Sequence, residues 1–175
     1  MQGAPTNRDW LTGLPNRRAL YERIAQCPAS GAVLFIDVDG YAFANHALGH
    51  VAGDQLLVEM SQHLKDVLPR GGVLGRCGGD EFVVYVRDTA QAPAVAEQMR
   101  GEVESLFAGA RALILAKEPD AAGRSRLAVS IGVAHYEGNL MDALRTADEA
   151  CMRAKRDGGN RVVIAERPKS LPPVQ

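Results

Sequence analysis

Two acidic pairs sit at the ends of apolar runs. Asp37 and Asp39 close GAVLFIDVD (residues 31–39), while Asp80 and Glu81 follow Gly78 and Gly79 in GRCGGDEFVVYV (residues 75–86). Asp54 is a third acidic feature, early in a helical segment. Ligands of α/β sheets bind outside strand ends. If the two runs are neighbouring strands, Asp37 and Asp80 converge there. Converging carboxylates are costly without a counter-charge. Hard oxygen ligands beside a flexible turn suit Mg²⁺, which bridges protein carboxylates and substrate phosphates. Gly78 and Gly79 would let a phosphate or base approach the backbone. A plainer reading uses the same residues. Gly-Gly-Asp makes a good hairpin turn by itself, and Asp39 ahead of a helix reads as a cap. The residues alone leave both readings open.

The elements that must position these acids are legible from periodicity. Residues 16–27 read as a helix with Asn16 as N-cap and Leu20 and Ile24 on one face. Residues 31–39 read as a buried strand with a polar C-terminal end. Leu56, Leu57, Met60, Leu64, Val67 and Leu68 recur at helical spacing over residues 51–68, and Pro69 and Gly71-Gly72 stop that helix. Strand-like segments follow at 73–77 and 82–87, joined by residues 78–81. Val95, Met99, Val103 and Leu106 predict another helix. RALILA (residues 111–116) and RLAVSIGVAHY (residues 126–136) read as strands flanking a polar loop, KEPDAAGRS. Leu140, Leu144, Ala147, Cys151 and Ala154 form a third helical stripe, and NRVVIA (residues 160–165) reads as a last strand. Alternating helices and strands with one central hairpin predict an α/β sandwich, a mixed sheet covered by helices.

The 175 residues suit one domain, and net charge −1 recommends neither a nucleic-acid nor a membrane partner. Hydrophobic content of 46% and charged content of 23% are those of an ordinary globular domain. No apolar run approaches the ~20 residues of a membrane span, and the first residues lack a signal-peptide pattern. Cys27, Cys77 and Cys151 form no CxxC pair, which argues against zinc and for a reducing, cytoplasmic setting. RPKSLPPVQ (residues 167–175) reads as a tail or linker.

At the glycine pair the sequence resembles a known family. RCGGDEF (residues 76–82) is similar to the signature of GGDEF domains, the diguanylate cyclases. DWLTGLPNRRAL (9–20), FIDVDGYAFANHALGHVAGDQLL (35–57), SIGVA (130–134) and ADEACMRAKRDGGNRV (147–162) resemble four further blocks of that family, in order. The resemblance implies a nucleotidyl cyclase or polymerase-palm fold over residues 9–166, with residues 1–8 as a linker. It implies a nucleotidyltransferase that joins two GTP into cyclic di-GMP and two pyrophosphates, using Mg²⁺ with Mn²⁺ as an alternative, between two copies of the domain. It also implies an attached sensor or effector domain. Carried over by residue, Asp37, the Val38 carbonyl, Asp80 and Glu81 would hold metal. Asp80 would also help deprotonate the 3′-hydroxyl, supported by Glu81. Gly78 and Gly79 would pack on the nucleotide, Asn45 and Asp54 would bond the guanine edge, and Lys155 would contact terminal phosphates. Taken singly, Asn45 reads as a helix end, Asp54 as a first-turn charge and Lys155 as a solvated residue. Arg76 and His50 read as structural.

The sequence also departs from the family pattern. Tyr41-Ala42 stands where Phe-Lys is usual, His46 where an aspartate is usual, and Gly159 where an arginine is usual. Each lost cation should weaken triphosphate binding by about tenfold, unless Arg161, Arg156 or Mg²⁺ compensates. Residues 69–72 read PRGG in place of the family's Arg-x-x-Asp, so no inhibitory product site is expected. Two further readings differ in class. One is a weak or silent GTP-binding domain that regulates an attached enzyme. The other is a cyclase with mixed GMP–AMP products, which Asp54 argues against.

Overall fold

The computed structural model describes residues 7–120 and 126–166. The expected linker at 1–8 falls mostly outside them, as do the tail at 167–175 and most of the polar loop. The elements run α1 (Arg17–Ala25), β1 (Gly31–Asp39), α2 (Tyr41–Leu48), α3 (His50–Asp66), β2 (Val73–Gly78), β3 (Glu81–Val86), α4 (Ala92–Leu106), α5 (Ala108–Lys117), β4 (Ala128–Tyr136), α6 (Leu140–Arg156) and β5 (Val162–Ile164). The strands form one sheet in the order β2-β3-β1-β4-β5. All neighbouring pairs are antiparallel except β4 and β5. The mixed sheet expected from the sequence is the sheet observed.

Alternation along β1 sorts its residues between two layers. Leu34, Ile36 and Val38 join Val84, Ile131 and Val133 beneath Leu57 and Met60 of α3 and Met99 and Val103 of α4. Val33 faces the other way, with Val83, Tyr85 and Ala134, against Leu20 and Ile24 of α1 and the alanines of α6. Asp37 and Asp39 share the parity of Val33, which directs them toward α6. At about 25 cal/mol per Å², burial of these apolar faces is the main force holding the layers together.

Small residues let α6 sit close. Ala143, Ala147, Ala150 and Ala154 are all buried on its sheet-facing stripe. Beneath them, a Cβ on Gly132 would stand 1.9 Å from the Ala147 carbonyl and 2.4 Å from the Cys151 nitrogen. Helix starts follow local rules. Asn16 caps α1 by accepting from the Ala19 N–H at 3.0 Å, and Asn139 caps α6 by accepting from Asp142 at 3.1 Å.

One expected element is wrong. RALILA is not a strand but lies in α5. Four alanines favour helix there, and the register buries Ile114 while leaving Leu113 60% and Leu115 39% exposed. Arg111 anchors the turn by donating to the carbonyls of Leu127 and Glu104 at 2.9 and 2.8 Å. Among the described residues, no helix is long and apolar enough to cross a membrane.

Candidate active site

β1 ends between β3 and β4, and its register sets the acids. Asp37 lies directly opposite Glu81, and the Val38 N–H donates to the Asp80 carbonyl at 3.3 Å. Gly79 and Asp80 form the two-residue turn between β2 and β3, with Gly79 at φ +40°. That left-handed backbone is one glycine adopts readily. Lys155, near the end of α6, donates to the Asp37 carboxylate. Both side chains are largely sheltered, at 29% and 18% exposure. Burial pushes Asp37 up to about 6, outweighing the Lys155 bond and helped by the negative charges of Asp80 and Glu81. Burial works against the Lys155 charge too, yet its bond to Asp37 raises the ammonium above its ordinary value.

The raised Asp37 value has a measurable sign. A carboxyl whose folded pKa exceeds its unfolded one stabilises the fold most when protonated. Its contribution is full below about 3.8 and is lost as pH rises to about 6. Urea midpoints across that window should fall less steeply for Asp37→Asn than for the parent. Identical slopes would show that Asp37 titrates normally.

The turn is held from below. Arg76 is 9% exposed and donates from Nε and Nη2 to the Gly79 carbonyl at 2.9 and 2.6 Å. Its Nη1 donates to Asp9 Oδ1 at 2.8 Å. Asp9 also accepts from the Thr12 backbone and hydroxyl at 2.9 and 2.7 Å. Burial opposes ionisation of Asp9, but the Thr12 and Arg76 bonds hold its carboxyl below the usual range. Arg76 is therefore structural, bracing the turn that carries Asp80. Arg76→Met should cost about 3 kcal/mol, because it strands a sheltered carboxylate. Urea unfolding measures the loss, and a cost below about 1 kcal/mol would show that the pair is not needed.

Asn45 and Asp54 stand at the corner between α2 and α3. Asn45 lies against Gly53, where a Cβ would meet its Oδ1 at 1.7 Å. That oxygen is buried without a hydrogen-bond partner. The Tyr41 hydroxyl lies beside the same spot, 3.3 Å from the Gly53 Cβ position. Burial raises the Tyr41 phenol against the opposing pull of the adjacent Asn45 side chain, with contributions from the charges of Asp54 and Asp80. Tyr41 thus stands between the corner and the acidic turn, a place no periodicity in the sequence marks.

Asp39 is not a helix cap. Gly40 occupies the N-cap of α2 without a side-chain bond. The Asp39 carboxylate instead accepts from Ser130 Oγ at 2.8 and 3.0 Å and from the Asn160 N–H at 2.8 Å. Its β-strand parity turns it away from α2 and toward the α6–β5 turn. Gly159 fits that turn at φ +73°, and a Cβ there would stand 2.9 Å from Asp39 Oδ2. The missing arginine at 159 therefore accompanies a turn shaped for glycine. His50 opens α3 and is exposed.

The donor set fits Mg²⁺. Asp37, Asp80 and Glu81 offer only oxygen, and the Asp37 carboxylate already holds a cationic group in Lys155. Among the described residues, no three acidic, histidine or cysteine side chains gather around one point. Mg²⁺ needs no full protein cage, since it completes its shell with water and phosphate oxygens.

Comparison with known proteins identifies the family and the fold. The pattern described as diguanylate cyclase, GGDEF domain, matches residues 6–161. Diguanylate cyclase DgcM of Escherichia coli is 34% identical over 170-odd positions, covering 91% of this chain and 38% of DgcM. This chain therefore spans well under half of that relative. The GGDEF domain of DgcB from Caulobacter crescentus, solved with c-di-GMP, superposes with a TM-score of 0.73 at 25% identity, covering 94% of this chain and 98% of that one. Diguanylate cyclase SiaD of Pseudomonas aeruginosa, solved with its activator SiaC, gives 0.74 at 29% identity, covering 91% of this chain and 62% of that one. With the pattern matched over nearly its whole described length, the chain belongs to the GGDEF, diguanylate cyclase domain, family.

Proposed function

We propose that this domain condenses two GTP into cyclic di-GMP and two pyrophosphates, across a head-on pair of copies, with Mg²⁺ bound. The observation that carries the reading is the register of Asp37 against Glu81, with Asp80 on the adjoining turn and Lys155 on Asp37. Each 3′-hydroxyl oxygen bonds to the α-phosphorus of the other GTP. The bond from that phosphorus to pyrophosphate breaks, and the hydroxyl proton leaves. Asp80 takes that proton, and Glu81 opposite Asp37 keeps the pocket acidic. Asp37, the Val38 carbonyl, Asp80 and Glu81 would hold the metal, which would neutralise phosphate charge and favour the alkoxide. Lys155 leaves Asp37 for the terminal phosphates.

Asn45 and Asp54 read guanine. Acceptors facing its N1–H and amino group reject adenine, which has no donors there. Gly78 and Gly79 let the nucleotide lie on the turn. Residues 9–166 form the cyclase unit, with a sensor or effector attached through the flanking segments. The turn at 69–72, closed by the Gly72 N–H on the Pro69 carbonyl at 2.9 Å, carries no acid, and product inhibition there is not expected.

The purified domain with GTP and Mg²⁺ should yield cyclic di-GMP, identified by mass, at a specific rate that rises with protein concentration. GTP that binds but never turns over, even in a forcibly dimerised protein, would leave a regulatory GTP-binding module instead.

A further inference from the structure

Among the described residues, two arginines near the acidic end of β1 lack carboxylate partners. Arg126, just before β4, donates from Nη1 to the Gly158 carbonyl at 2.5 Å. Arg161, just before β5, donates from Nε to the Gly159 carbonyl at 3.2 Å. A Cβ on Gly158 would meet Arg126 Nη1 at 2.9 Å and Arg161 Nη2 at 3.5 Å, so one position beside this turn is within reach of both. Neither arginine is ion-paired among the described residues. Both are exposed.

The surrounding groups do not neutralise them. The turn lines an open groove of about 380 Å³ with Glu104 and Arg111. Glu104 is already held by Arg100 at 2.7 Å and by Asn160 at 2.9 Å, and Arg111 spends its donors on backbone carbonyls. Asp39 lies on the inner side of the turn, bonded to Ser130 and Asn160. Arg156 lines a different depression, with Thr146, Glu149, Arg153 and Glu166. Converging guanidinium groups repel unless an anion lies between them. Their planar forks match phosphate oxygens two at a time.

The groove also adjoins the end of β1, at Asp39 and Gly40, just beyond Asp37. The Arg126 carbonyl lies 3.2 Å from the Cβ position of Gly40, the residue after Asp39. Gly159, between the two guanidinium contacts, touches Asp39 itself. We propose that Arg126 and Arg161 form a terminal-phosphate clamp for the nucleoside triphosphate, supplying the positive charge that Ala42 and Gly159 do not. The clamp rests on the reading of this site as a GTP site. It reaches the triphosphate from the β4 and β5 side, across the turn from Lys155.

Calorimetry with GTP, GDP and GMP, using Ca²⁺ in place of Mg²⁺ to prevent turnover, tests the clamp. Arg126→Gln and Arg161→Gln keep an N–H for the turn carbonyls and remove only the charge. Each should weaken GTP by about tenfold, leave GMP within about twofold, and steepen neither thermal melt. The double variant should lose more for GTP than either single one, and its departure from about a hundredfold measures the coupling between the two arginines. Variants that weaken GTP and GMP alike, or neither, overturn the clamp while the GTP site stands. A parent protein that binds none of the three overturns the GTP reading, and the clamp with it.

Discussion

Asp80→Ala is expected to reduce cyclic di-GMP formation by at least about a thousandfold while leaving the domain folded. Two features separate its chemistry from its structure. The turn is fixed through backbone atoms, since the Val38 N–H reaches the Asp80 carbonyl and Arg76 reaches the Gly79 carbonyl. Alanine keeps both. The carboxylate, by contrast, stands near enough to raise Asp37 by its charge. Product quantified by mass, beside a thermal melt, separates the two effects. Activity within tenfold of the parent would remove Asp80 from the reaction.

Gly132→Ala should be the most damaging single methyl in the protein, costing at least about 3 kcal/mol. The obstacle is backbone, not a side chain that can swing aside. The Ala147 carbonyl and Cys151 nitrogen belong to the α6 helix, whose whole axis must lift to admit a Cβ. Lifting α6 also draws Lys155 from Asp37. Urea unfolding should show the loss, and GTP affinity should fall in the surviving folded protein. A cost below about 1 kcal/mol would mean that α6 is not seated as described.

Much of this layout is legible in the residues, and the failures have physical causes. The continuous apolar run of β1 is buried on both faces and the apolar stripe of α6 on one, so pattern and structure agree. RALILA misleads because a short apolar run read by itself satisfies strand and helix equally, while the alanines around it and the Arg111 anchor favour the helix. Asp39 misleads because strand parity, not chain proximity to α2, chooses its partners. Asp37, Asp80 and Glu81 are recognisable from the family resemblance. Their meeting depends on β1 pairing with β3, a contact between segments far apart in the chain that no local pattern encodes. Arg126 is harder still. It lies outside the blocks that resemble the family, and only the turn at Gly158 brings it beside Arg161.

The central place of β1 has a consequence for amide exchange. Its residues 32–37 are laddered on both sides, to β3 and to β4. Amides so enclosed reach deuterium only when the whole domain opens. Gly79 and Asp80 sit instead on a turn at the sheet margin, beside the edge strand β2. Amides on the Asp37 side of the site should therefore exchange slowly, and those of the Gly79-Asp80 turn, braced by Arg76 and by the Val38 N–H but outside the double ladder, should exchange sooner. Asp37 thus stands on the most enclosed strand and Asp80 on a braced turn beside it, so the two halves of the site differ in how much of the sheet must open before they move.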